Sequence, residues 1–199
     1  MYLVATPLSV AQAANTIGTA GEARSYIQGL GDTIVGLLNK DGIDAKAREQ
    51  KLIDLFKQHV DAPWMGRFVL GRYWRTASEG QKQRYNSYYQ TFLINSYIPH
   101  FRKYTNENFT ITGVRDEGKG EYTVSLNILS EKYQTIHAAY RVHKNDAGDF
   151  RIIDIIIEGV SLLSTQRSEF ASVVSRQSLD SLIDQIQKRN ERFVEKGNS

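Results

Sequence analysis

Four histidines, His59, His100, His137 and His143, and two acidic residues on one strand, Asp154 and Glu158, are the side chains best suited to proton transfer or metal binding. Such chemistry needs its groups within a few ångströms of one another. The histidines are too scattered for a sequence-local metal site. Asp154 and Glu158 have the same parity, and at ~3.3 Å per residue they stand roughly 13 Å apart, well beyond the ~5–5.5 Å of a retaining carboxylate pair. Their expected role is ion pairing with arginines, Arg72 and Arg75 being the partners named for Glu158. The chain has no cysteine, which removes thiol nucleophiles, thiolate metal ligands and disulfides. It also lacks a G-x-S-x-G elbow and a P-loop. The expectation is a binding protein and not an enzyme, with no cofactor and no metal.

A second group of residues could recognise anions. Arg67, Arg72, Arg75, Lys82, Arg84, Arg102 and Lys103 fall in one stretch whose only acid is Glu79. They interleave with Tyr73, Trp74 and several tyrosines, a combination found in binders of single-stranded nucleic acid. The aromatic residues, however, mostly recur three or four apart, the spacing of a helix core, and no RNA-binding signature accompanies them. Nucleic acid is therefore not an expected partner. Arg67, Lys82, Arg84, Arg102 and Lys103 remain candidates for meeting an anionic head group or an acidic partner surface, with a solvated basic face as the plain alternative.

The elements that must position these residues follow from periodicity. Glu22–Asn39 carries Ile27, Leu30, Ile34, Leu37 and Leu38 at helical spacing, weakened by three interior glycines. Asp44 caps a second helix with Leu52, Ile53, Leu55 and Phe56 on its apolar side. Asp61-Ala62-Pro63 breaks it, and a short apolar helix covers Trp64–Leu70. Ser78-x-x-Gln81 is a capping box opening a long helix to about Tyr104, which Pro99 kinks or ends locally. From Phe109 the period becomes two. Phe109–Arg115 and Glu121–Leu129 flank a hairpin signal at Asp116–Gly120, Tyr133–Lys144 makes a third strand and Phe150–Glu158 a fourth. Two helices, about Ser161–Ser175 and Leu179–Arg192, finish the chain. This order reads as α+β: a four-stranded curved antiparallel sheet wrapped by N-terminal and C-terminal helices.

The stretch Asp154–Leu162, DIIIEGVSL, with Phe150–Ile153 before it, is apolar on both faces, the pattern of a strand covered on both sides. On the neighbouring strand Ile136, Ala138, Tyr140 and Val142 share one face. Ala138 is a small residue among large ones. Either a facing element fills that gap, or the gap is a dry cavity suited to an apolar ligand.

These residues also carry a family resemblance. DIIIEGVSL, then Gln166-Arg167-Ser168-Glu169-Phe170, then Leu179-Asp180-Ser181-Leu182-Ile183, are preceded by Gly71-Arg72-Tyr73-Trp74-Arg75, Ser78, Glu79, Gln81, Phe92 and Tyr97. In order and spacing they resemble the MlaC-like toluene-tolerance family, over roughly residues 22–190. Gln166 and the short Ser175–Ser178 turn depart from the commonest pattern and resemble the branch linked to hopanoid-producing bacteria. The resemblance implies an NTF2-like, cone-shaped fold around an apolar cavity. It implies a periplasmic carrier of a glycerophospholipid, or alternatively a hopanoid, that shuttles between an outer-membrane lipoprotein complex and an inner-membrane ABC transporter complex. The candidate cavity residues under this reading are Tyr73, Phe92, Tyr97, Val124, Leu126, Ile128, Ile136, Ala138, Tyr140, Ile155, Ile157, Leu163 and Phe170. A reading of another class, a small-molecule enzyme on an NTF2-like scaffold, needs a buried His, Asp or Glu facing the cavity.

With 199 residues, 41% of them hydrophobic and 24% charged, the chain can bury a sizeable core and is expected to form one soluble, monomeric domain. A net charge of +3 is mildly basic and commits it to no partner. The first thirteen residues carry no charge and end Val10-Ala11-Gln12-Ala13, an A-x-A pattern that reads as a signal-peptide remnant, residues 1–13, ahead of a carrier domain, residues 14–199. The basic n-region is missing, since the first Lys or Arg is Arg24. No other segment approaches the ~20 apolar residues of a membrane span.

Overall fold

The computed structural model describes residues 9–101, 108–129 and 134–197. Arg102, Lys103 and the predicted strand start at Tyr133 lie outside the described residues, as do the first eight residues of the predicted signal remnant.

The helices begin where a side chain can take their free amide protons, as capping requires. After the long α1 (Ser9–Leu38), Asp44 accepts the Lys46 and Ala47 N–H groups and opens α2 (Ala45–His59). The Asp61 Oδ1 accepts the Trp64 N–H at 3.0 Å and opens α3 (Ala62–Leu70). Gly71, at φ 54°, then splits off a short α4 (Arg72–Thr76) that the periodicity did not show. The predicted capping box is present. The Gln81 N–H donates to Ser78 Oγ, the Ser78 N–H donates to Gln81 Oε1, and α5 (Glu79–Phe101) follows with Pro99 in its last turn. The chain ends in α6 (Leu162–Arg176) and α7 (Leu179–Gly197).

Between them runs an antiparallel meander in the order β1 (Asn108–Gly118), β2 (Glu121–Leu129), β3 (Ile136–Lys144), β4 (Phe150–Ile157) and β5 (Val160–Ser161). The sheet has five strands where four were expected. Glu158 and Gly159 both take positive φ, 48° and 80°, the conformation of a tight hairpin turn. The chain therefore reverses, and Val160 and Ser161 pair back onto Ile157 and Ile156.

One irregularity sets which residues of β4 face which layer. Val142 pairs with Ile152 but Arg141 pairs with Asp154, so Ile153 is the extra residue of a bulge. Strict alternation would put Ile153, Ile155 and Ile157 together. The bulge instead groups Ile152 with Ile155 and Ile157, and turns Asp154 towards α6.

Two apolar clusters result. One is helical: Tyr85, Tyr89, Phe92 and Leu93 of α5 pack with Met65 and Val69 of α3, Leu163 and Phe170 of α6, and Leu182, Ile183 and Ile186 of α7. The tyrosine spacing of α5 belongs to this core. Tyr85 and Tyr89 are stacked, with ring centroids 5.2 Å apart, and both are buried. The other cluster lies between α1 and one face of the sheet, with Ala23, Ile27, Ile111, Tyr122, Val124, Leu126, Ala138, Val142 and Ile152.

The arginine pairings expected for the two acids are not made among the described residues. Asp154 is 1% exposed. Its Oδ2 accepts from Ser161 Oγ at 2.6 Å and its Oδ1 from the Leu163 N–H at 3.0 Å, so it ties β4 to the start of α6. Glu158 accepts the His137 N–H at 2.7 Å, while Arg72 donates to the Tyr73 hydroxyl at 3.0 Å. Turn geometry puts the Glu158 carboxylate back over β3, where a backbone donor is closer than any guanidinium.

Truncating Asp154 leaves a buried N–H and a capping hydroxyl without their acceptor. Asp154→Ala is expected to lower unfolding free energy by about 2–3 kcal/mol, and Asp154→Asn, which keeps one acceptor for Leu163, by roughly half as much. Urea titrations of the three proteins check this; coincident midpoints would contradict the role assigned to the carboxylate.

Candidate ligand cavity

The sheet face under α1 is not fully covered. A cavity of about 520 Å³ remains between it, the C-terminal half of α1, α2 and the end of α5, within the ~300–1,000 Å³ of ordinary ligand pockets. Leu126, Ile128, Ile136, Tyr140, Ile152, Ile155 and Ile157 form the sheet wall. Ile27, Leu30 and Ile34 of α1, Leu52 and Phe56 of α2, Ile98 of α5 and Leu162 of α6 close the rest. Ile152 marks one end and Ile157 the other, five residues along β4, or about 15 Å allowing for the bulge.

Gly31 fixes how close α1 comes. A β-carbon there would overlap the ring of Phe109 at the start of β1, and both residues line the cavity. The glycine that weakens α1 as a helix lets it descend onto the sheet edge.

The two ends differ in polarity. At the Ile152 end, Val60 bridges to Ile152 and the His59 Nδ1 lies 3.1 Å from the Tyr26 hydroxyl. Burial, and secondarily the Arg151 charge, hold the His59 pKa below the usual histidine value, which favours a neutral ring. Burial likewise pushes the Tyr26 hydroxyl up to about 12. At the other end Asn39, His100 and Asn108 are exposed lining residues, so this end is the mouth. No Asp, Glu, Lys or Arg lies among the described lining residues, and among the described residues no cluster of His, Asp and Glu could hold a metal ion. An acid–base couple would need a carboxylate beside His59 or His100, and this wall supplies none.

Behind the wall runs a buried polar relay. The Tyr89 hydroxyl donates to Gln166 Oε1 at 2.7 Å, and Gln166 Nε2 donates to the Tyr97 hydroxyl at 3.0 Å. Burial first, then the charge of Asp154, pushes Tyr97 up to about 12. Gln166 thus has a structural task, joining α5 to α6.

The structure puts Tyr97, Leu126, Ile128, Ile136, Tyr140, Ile155 and Ile157 on the cavity wall. The other cavity candidates lie elsewhere. Phe92, Leu163 and Phe170 are filled core of the helical cluster. Tyr73 sits on α4 under the Arg72 guanidinium. Val124 and Ala138 belong to the packed part of the sheet face, although Ala138 pairs with Leu126 on one side and Ile157 on the other, both of them lining residues. The reason is common to these corrections: a strand or helix pattern shows which residues turn inward, not whether that interior is filled. None of the described basic candidates is at the mouth. Arg84 bridges to Asp180 and Asp184 of α7 at 3.2 and 2.8 Å, Lys82 pairs with Glu79 at 2.8 Å, and Arg67 is on α3. The α1 and α2 contribution was missed. Its signal was present in the stripe Ile27, Leu30, Ile34, but nothing in the sequence pairs that stripe with an empty space.

Comparison with known proteins places this architecture. The family model described as MlaC protein matches residues 30–188. A relative from Haemophilus influenzae, the intermembrane phospholipid transport system binding protein MlaC, is 22% identical over 133 residues, 65% of this chain, and the match spans 62% of that relative's length. A solved phospholipid-binding protein from Ralstonia solanacearum, in complex with a phospholipid, superposes with a TM-score of 0.73 at 22% identity, covering 86% of this chain and 98% of that one. At that identity the likeness speaks for the fold. A family match that runs from the last third of α1 well into α7 takes in the whole sheet and all of the cavity lining but Ile27, and this chain belongs to the MlaC family.

Proposed function

We propose that this protein is a lipid carrier, which holds a glycerophospholipid in the cavity and ferries it across the periplasm between outer-membrane and inner-membrane transport complexes. The observation that carries the reading is a wall without charged residues, about 15 Å long, with polar groups at its mouth. One leaflet of a bilayer has ~15 Å of hydrocarbon, half of the ~30 Å core, so an acyl chain matches the cavity in length as well as polarity. Each methylene moved from water to such a wall contributes ~0.8 kcal/mol. The head group, which would be costly to desolvate, stays at the mouth among Asn39, His100 and Asn108. The mechanism needs no covalent step. Loading and release need only partners that compete for the acyl chains.

Support comes from the relatives. The Ralstonia protein is described as phospholipid-binding and was solved with a phospholipid, and the Haemophilus protein is named for intermembrane phospholipid transport. The residue that pointed to a hopanoid, Gln166, is in the relay behind the wall, which leaves the phospholipid as the better-supported cargo. Among the described residues no helix is long and apolar enough to cross a membrane, in keeping with a carrier that leaves the bilayer. The uncharged N-terminal stretch ending at Ala13 supports export.

Protein purified without detergent is expected to yield about one phospholipid per chain on solvent extraction, checked by native mass spectrometry. A lipid-free protein that also fails to take up added phospholipid would sink the carrier reading. Ile157→Trp, at a lining residue of the sheet wall, is expected to direct its ring into the space used by acyl chains. Lipid recovery should then fall sharply while the melting temperature holds or rises. A core that cannot yield would instead be overpacked, at about 1–3 kcal/mol, and a lower melting temperature with lipid content intact would show it.

A further inference from the structure

We propose that Tyr97 is a specificity-determining residue of the cavity: its hydroxyl donates a hydrogen bond to an ester carbonyl of the cargo, so the protein selects ester-linked over ether-linked lipids. Such a role presupposes the lipid cargo proposed above. The hydroxyl is oriented from behind. Tyr89 and Gln166 are buried, at 1% and 7% exposure, and the Tyr89 hydroxyl donates to Gln166 Oε1 at 2.7 Å. The amide carbonyl is thereby occupied, and the Nε2 donates to the Tyr97 hydroxyl oxygen at 3.0 Å. Exchanging the two ends of the amide would strand the Tyr89 proton in the filled core, where Tyr89 has no second hydrogen-bond partner among the described residues, and a buried donor left without an acceptor is costly. The spare proton of the relay is therefore the one on Tyr97.

Tyr97 lines the cavity and is only half-buried, and no described residue accepts from its hydroxyl. With its pKa at about 12, the group keeps its proton throughout the neutral range. Hydrogen bonds in a chain polarise one another, which makes the terminal O–H the stronger donor. Position selects the acceptor. His100, three residues further along α5, lines the mouth, and Gln166 is four residues along α6 from the lining residue Leu162. Leu162 follows β5, whose Val160 pairs with Ile157 at the same end. The donor thus stands within one helical turn of mouth residues on both helices, about 5–6 Å of rise. An ester carbonyl of a glycerolipid comes at this level, between a chain running towards Ile152 and a head group left at the mouth. Ile128, Ile136, Ile157 and Leu162 of the wall have no side-chain donor to offer. A carbonyl drawn out of water here needs one, and Tyr97 supplies it.

The test is uptake by the full chain from vesicles of equal parts dioleoyl phosphatidylglycerol and its dioleyl ether, which shares the head group and chain length but has no carbonyl. Native mass spectrometry identifies the bound lipid and separates it by mass from any lipid carried through purification. One net hydrogen bond corresponds to about three- to tenfold in affinity, and the protein is expected to enrich the ester by that factor. Tyr97→Phe keeps the ring on the wall and should bring the ratio to about one while lipid is still taken up. Gln166→Met, which removes the orienting donor, serves if Tyr97→Phe fails to fold, as thermal melting reports, and should lower the ratio at least about twofold. Tyr85→Phe removes a buried hydroxyl of the helical cluster, bonded to the Gly66 carbonyl at 3.3 Å, and should leave the ratio unchanged, which separates recognition from a general loss of stability. Equal uptake of both lipids by the unaltered protein, or an ester preference that survives these changes at Tyr97 and Gln166, would overturn the role of Tyr97 and leave the carrier reading intact. A carrier must exchange its cargo, so uptake of neither lipid would overturn both.

Discussion

The carboxylate of Asp154 is the joint between the two halves of this fold. A sheet can be covered on both faces only if something fixes the second layer to it, and here α6 begins on Asp154 through the Leu163 N–H and the Ser161 hydroxyl. Those bonds hold α6 in place, and α6 carries Leu163 and Phe170 into the helical cluster with α3, α5 and α7. The bulge at Ile153 makes the joint compatible with a cavity. It turns Asp154 to the helical side while leaving Ile152, Ile155 and Ile157 on the other. An ideal strand could not have given Ile152 and Ile155 to one layer.

Because the helical cluster is filled and anchored, the other face of the sheet need not be. The α1 and α2 helices carry apolar stripes whose inner ends meet side chains at Ile27 and whose outer ends meet empty space near Leu38. Leaving apolar wall uncovered forgoes dispersion contacts, and the helical cluster supplies the stability that the open face lacks. The tethers of α1 are distributed accordingly. Glu22 pairs with Lys144 and Tyr26 meets His59, both near the Ile152 end, and Arg24 donates to the Ile111 carbonyl of β1. Beyond Ile27 the helix contributes mainly wall, and Gly31 seats it against Phe109.

Much of this was legible from residue order. The capping residues Asp44, Ser78 and Ser161 mark helix starts where the structure has them, because a cap is a local interaction and its donors lie two or three residues away. β2 runs Glu121–Leu129 as its alternation indicates. What escaped was non-local. Glu158 looked like an arginine partner until the turn at Gly159 set it over His137, 21 residues back in the chain. Phe92 and Phe170 have the spacing and size of cavity residues and are packed against each other, ring centroids 6.0 Å apart. Ile27 and Ile34 were visible as a stripe but not as a wall. Fullness of an interior depends on how far two layers stand apart, and no single periodicity encodes that distance.

The distribution of charge follows from the same division. A carboxylate or ammonium on the cavity wall would need a partner there or a large desolvation cost, and either would compete with an apolar cargo. The groups that could ionise near the wall are kept neutral by burial: His59 is held down, Tyr26 and Tyr97 are held up. Charges are instead placed where they cross-link elements, as Arg84 does between α5 and α7. A wall kept neutral in this way would let such a cavity take up and release a hydrocarbon chain without moving a proton.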